Sequence, residues 1–140
     1  MSIHVRYFAI VLFLTFLVVS CSKPPESKIV GEWKGTDTNG RTIVFIFSEN
    51  GDLKLIQENL VLEGGTKGIS KFSWRLDTDQ DPMHLDFIRV SSKGESQTLP
   101  TIVRFITDSK IQLRQSEDKS SRPIQFSESD NFYQILLTRQ

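Results

Sequence analysis

One cysteine, Cys21, occurs in the 140 residues, so no disulfide within the chain can staple the fold. Histidine is almost as scarce: His4 lies in the apolar N-terminal stretch and His84 stands alone in the remainder. That leaves little material for acid–base chemistry, a Ser-His-Asp order or a metal quartet, and no glycine-rich phosphate loop occurs. A surplus of one charge is missing too. The 17 Lys+Arg balance 17 Asp+Glu with the signs interspersed, which argues against a nucleic-acid partner, since that needs a clustered basic face. After residue 20 there is no long apolar run and no extended segment with a 3.6-residue apolar period. The chain is therefore expected to be neither an enzyme nor the holder of a cofactor or metal.

What is present begins at the N-terminus. Arg6 is the only charged residue before Cys21 with histidine counted neutral, and the apolar run Tyr7–Val19 leads to Ser20-Cys21. A short basic head, an apolar stretch and a small residue before the cut describe a secretory signal over residues 1–20. The run is shorter than the ~20 residues of a spanning helix. Val18-Val19-Ser20-Cys21 resembles a bacterial lipobox. That resemblance implies cleavage before Cys21, acylation of its sulfur and a lipid anchor in the cell envelope. Residues 21–28 then form a polar tether, in which Pro24-Pro25 favours an extended, stiff backbone. Ser22 follows the cysteine in place of aspartate, which favours the periplasmic face of the outer membrane in a Gram-negative cell. The membrane is the first partner expected.

Residues 29–140 suit one all-β domain. Short β-branched and aromatic runs recur between turn residues. They are 29–35, 42–48, 53–60, 69–76, 83–90, 99–106, 110–115, 122–126 and 132–139. Asn50-Gly51 is the strongest hairpin signal, and Pro100 belongs at an edge or strand start. Such a meander closes naturally into an antiparallel up-and-down barrel of about eight strands, because closure removes exposed edges.

Gly31-Glu32-Trp33 looks like the Gly-x-Trp that opens lipocalin-type barrels. The strand opened by Asp81-Pro82-Met83-His84-Leu85-Asp86, the element Arg122-Pro123-Ile124-Gln125-Phe126 and the terminal Leu137-Thr138-Arg139 follow in an order that resembles bacterial lipocalin-like lipoprotein domains of unassigned function. Ser116–Ser121 has no counterpart in that pattern. The resemblance implies a lipocalin-like barrel in which Gly31, Trp33 and Arg139 are structural, the arginine packing over the indole at a closed end.

The expected function is a membrane-anchored binding module for an apolar or amphipathic small molecule. Phe72, Trp74 and Leu76 share the apolar face of the most regular strand and are candidates to line its cavity, with Phe45, Phe47, Phe87 and Phe105 as neighbours, together with Leu85 and Val103. They serve equally well as plain core. Arg75, Arg89, Arg104 and Arg114 hold an anionic head group if they point inward. The alternative is a structural or assembly lipoprotein docking on another envelope protein through Val44 and Ile46, on the outer face of a strand apolar on both sides. His84 and Asp86 share a strand face, but the pair lacks a nucleophile and further ligands. Asp77, Asp79 and Asp81 imitate a calcium loop, yet Pro82 occupies its glycine position. Arg122-Pro123 is expected to be structural, with Phe126 plugging one barrel end.

Replacing Cys21 with alanine is expected to abolish acylation and remove the protein from the detergent phase, as read by labelled palmitate and phase partitioning.

Overall fold

The computed structural model describes residues 21–128 and 133–140. The expected signal over residues 1–20 lies outside the described residues, as does Phe132. Among the described residues nine strands follow one short helix: α1 (Pro25–Ile29), β1 (Gly31–Thr36), β2 (Thr42–Phe47), β3 (Leu53–Gln57), β4 (Leu60–Leu62), β5 (Ile69–Asp77), β6 (Met83–Ser91), β7 (Ser96–Thr107), β8 (Lys110–Gln115) and β9 (Gln134–Arg139). They form one antiparallel sheet in the order β4-β3-β2-β1-β9-β8-β7-β6-β5. Every pairing joins neighbours in sequence except β1 with β9, where first and last strands meet. The two edges of the sheet come together where Asp52 bridges Ser73 and the Trp74 N–H donates to the Gly51 carbonyl at 2.9 Å. The result is a nearly closed barrel.

Alternation decides which side chains fill it. On β2, Phe45 and Phe47 turn inward; Val44 and Ile46 turn outward and are half-buried. Phe72, Leu85, Phe87, Val103, Ile111 and Leu113 continue the same cluster around the barrel. Burying each such side chain is worth about 1.5–3 kcal/mol, and no disulfide is needed. Among the described residues the interior cluster draws only on residues 29–137. A chain beginning at Cys21 therefore carries every residue of that cluster.

One end of the barrel is shut. Trp33 is fully buried, and its register partner across the β1–β9 seam is Arg139. The guanidinium carbon sits 4.3 Å from the indole centroid, a cation–π stack. Arg139 also donates to the Val30 carbonyl at 2.9 Å and to the Lys28 carbonyl, while Trp33 Nε1–H donates to the Ile29 carbonyl at 2.7 Å. Three carbonyls at the end of α1 are thereby tied down, and Ile29 becomes a fully buried plug. Gly31 permits this approach: a Cβ there would lie 2.7 Å from Arg139 Nη1, and its φ of +132° is one that other residues resist.

Several expectations change. Residues 25–29 are helical where an extended tether and a strand start were expected. Pro25 occupies the first turn, where a fixed φ favours a helix and no N–H is needed. The run 53–60 splits into β3 and β4 at Glu58-Asn59, with Glu58 at φ 53°. The strand count is nine because β4 is added, while 122–126 is irregular. Pro100 lies inside β7, opposite Asp86 of β6. On the other side β8 ends at Gln115, opposite Thr101, so Pro100 faces no strand there.

Trp33→Ala is expected to cost about 3–5 kcal/mol, as large buried aromatics do, and to lower the denaturant midpoint accordingly.

Candidate functional site

Opposite the Trp33 end, the barrel opens into a cavity of about 460 Å³. Its floor is apolar: Ile43 and Phe45 of β2, Phe87 of β6, Leu113 of β8 and Ile135 of β9. Its rim is polar, with Asp37, Asn39 and Arg41 from the β1–β2 turn, Gln57 from β3, Gln115 and Gln134 at strand ends, and Lys119 and Tyr133 from the β8–β9 connection. The opening arises because inward rows change character toward this end. The row Trp33–Phe45–Leu55 is large and apolar, whereas the next row is Gly35–Ile43–Gln57. Gly35 cannot be larger, since a Cβ there would meet the Leu136 carbonyl at 2.4 Å.

The β1–β2 turn fixes the rim. Asp37 Oδ1 accepts the N–H groups of Asn39 at 2.9 Å and Arg41 at 2.8 Å. Oδ2 accepts Arg41 Nε at 2.8 Å and Gln57 Nε2 at 2.6 Å. Desolvation works to raise the pKa of Asp37, but these donors, the Arg41 N–H foremost, hold it below its ordinary value.

A second polar structure lies on the outer wall. Asp86 faces away from Leu85 and Phe87, yet it is buried. Its carboxylate receives Arg122 at 2.5 Å and Arg75 at 2.6 Å, and Arg122 also donates to the Thr101 carbonyl at 2.6 Å. Burial pushes the Asp86 pKa up, but the Arg122 and then Arg75 guanidiniums outweigh it and hold the acid ionised below the usual range. Arg122 thus buckles the β8–β9 connection onto the wall, where Ile102 is fully buried outside the interior cluster. Farther along, Gln134 clasps Ser127 through its N–H and its carbonyl, both at 2.7 Å. Asp118, near the start of the connection, accepts Ser121 and Ser120 donors that lower its pKa to about 2.

The sequence-derived candidates separate. Phe45 and Phe87 border the mouth cavity. Phe72 borders a different groove, at the β3–β5 seam with Ile46, Lys54, Glu63 and Lys71. Phe47, Trp74, Leu76 and Phe105 do not line the mouth; they pack with the core, Trp74 edge-on to Phe47 and Phe105 edge-on to Trp33. Trp74 is held near the closed end because its Nε1–H donates to the Ser48 carbonyl at 3.1 Å. None of the four strand arginines lines the mouth. Arg75 serves Asp86, Arg89 pairs with Gln97, Arg104 bonds Gln112, and Arg114 donates to the Gln125 carbonyl. Phe126 plugs no barrel end; it lies outside, 4.4 Å below Arg104. His84 and Asp86 do share a face, but both carboxylate oxygens of Asp86 belong to arginines. Asp77 accepts the Asp79 N–H in a turn. Cys21 is exposed and unbridged. Asp37, Arg41, Gln57 and Lys119 escaped sequence reading, although Asp37 and Arg41 flank the turn Thr38-Asn39-Gly40 symmetrically.

No family model matches the chain, and no curated protein matches it. Among solved structures, the crystal structure of pallilysin (Tp0751) of Treponema pallidum is similar with a TM-score of 0.49 and 15% identity, covering 85% of this chain and 84% of that one.

The lowered carboxyl groups set an acid limit. A depressed folded pKa contributes stability above the unfolded value near 3.9, and that stability is lost as pH falls through the folded value. Thermal midpoints are therefore expected to fall below about pH 4. Asp86→Asn is expected to cost about 1.5–3 kcal/mol at neutral pH and to flatten the acid limb. An unchanged acid limb in that variant would contradict the role of Asp86.

Proposed function

We propose that the protein is a lipid-anchored binding module whose barrel mouth holds an apolar or amphipathic small molecule. The observation that carries this reading is the mouth cavity of about 460 Å³, with five apolar side chains below a polar rim. Its volume falls in the range of roughly 300–1,000 Å³ usual for small-molecule sites, and its layout is theirs: an apolar body with a few polar groups to fix orientation. The anchor rests on the lipobox resemblance at Val18-Val19-Ser20-Cys21 and on the exposure of Cys21. Docking through the outer wall of β2 is the weaker reading. Val44 and Ile46 are half-buried, and Ile46 borders the seam groove with Lys54, Glu63 and Lys71.

Nile red, a neutral dye that brightens in apolar surroundings, provides the test. Titration of the chain from Cys21 onward is expected to give saturable, blue-shifted emission. Ile135→Trp, which fills the floor, is expected to weaken binding at least about tenfold (~1.4 kcal/mol) while the thermal midpoint is kept. Emission that never saturates, or that is identical in the variant, would remove the reading. Intrinsic tryptophan fluorescence is the poorer monitor, since neither Trp33 nor Trp74 lines the cavity.

A further inference from the structure

We infer that the mouth selects an amphiphile with a negatively charged head group, a carboxylate or a phosphate monoester, which Arg41 and Lys119 receive while its tail occupies the floor. This deepens the binding-module reading and rests on it. Three observations about charge carry the inference. First, among the described residues lining the cavity there are two cations, Arg41 and Lys119, and one anion, Asp37. Second, that anion faces its own turn. Asp37 accepts from two backbone N–H groups, from Arg41 and from Gln57, which leaves its oxygens little capacity for a cationic or hydroxyl-bearing ligand. Third, Lys119 forms no ion pair among the described residues. The adjacent Asp118 makes no ion pair with it; its carboxylate is bound by Ser120 and Ser121 of the same turn.

The two cations differ in how they are held. Arg41 is fixed, since its Nε and Nη2 engage Asp37 at 2.8 Å. That grip orients the guanidinium plane at the rim and gives a head group a set direction of approach. Lys119 is carried by a turn at φ 57°, closed by its own N–H donating to the Ser116 carbonyl at 3.2 Å. Its flexible stem suits a mobile point charge. Ile43 and Ile135 line the same cavity, so the charged groups share it with apolar surface. A zwitterionic or cationic head would meet the same two cations with no available carboxylate, and a wholly apolar molecule would leave them without use.

Four probes with ten-carbon chains distinguish the outcomes by calorimetry on the chain from Cys21 onward: decanoate, decyl phosphate, decanol and decyltrimethylammonium. At low salt at least one anion is expected to bind on the order of tenfold more tightly than decanol, and the ammonium most weakly. Whichever anion leads identifies the head group. The advantage is expected to shrink in high salt, because the rim is open to solvent. Lys119→Gln is expected to reduce it severalfold with decanol binding unchanged, and Lys119→Glu to reverse it. Lys119 is exposed, so neither variant threatens folding; Arg41→Gln is read only if its thermal midpoint is kept. Decanol or the ammonium binding as tightly as both anions would overturn the head-group inference and leave the cavity reading intact. Binding by none of the four would overturn both.

Discussion

The guanidinium of Arg139 ties the last strand both to the first strand and to the end of α1. It lies over Trp33, donates to two carbonyls at the end of α1, and stands on the last strand opposite the first. A barrel built from consecutive hairpins needs one long-range pairing to become a barrel at all, and here that pairing is β1 with β9. Loop closure over so long a separation is entropically costly. It is offset by a stack, by hydrogen bonds from a charged donor and by the burial of Trp33 and Ile29, all at one place. Gly31 is the geometric condition for it, because any Cβ would displace the guanidinium.

A second arginine works on the outer wall. Arg122 reaches 36 residues back to Asp86 and binds the Thr101 carbonyl beside Pro100, where β7 has lost its neighbour. The connection from β8 to β9 is thereby held against the barrel although 122–126 contains no strand. Lys119 and Tyr133, on either side of that buckle, both line the mouth. The wall and the mouth are therefore linked through one connection, and the arrangement of the rim depends on contacts made outside the cavity.

Much of the architecture was legible in the residues. Strands with clean alternation, such as Ile69–Asp77, or with sharp turn boundaries, such as Lys110–Gln115, appear within a residue or two of their expected limits. The β3–β4 hairpin was hidden because Glu58, rather than glycine or asparagine, takes the left-handed position of its turn. Helix α1 was hidden because a proline pair favours extended chain on average and a helical first turn only in a suitable context. The candidate site was less legible. Phe45 and Phe87 were named for their inward faces, but alternation says which face a side chain takes and not how far along the barrel it lies. Depth is set by register and by bulky neighbours, which is why Trp74 belongs to the core and Ile135 to the mouth. The partners of Asp86 were beyond reach for a similar reason: sequence spacing does not reveal where an irregular connection is pinned.

The position of α1 has a directional consequence. The helix crosses the shut end, with Glu26 touching Thr78 of the β5–β6 turn and Lys28 touching Asp108 of the β7–β8 turn. Only three residues separate Pro25 from Cys21, too few to lead the chain around to the other side. A lipid on Cys21 would therefore stand the barrel on its blind base like a cup on a table. Its opening would look outward into the surrounding compartment, and cargo would have to be exchanged with something arriving from that side rather than drawn up from the bilayer underneath.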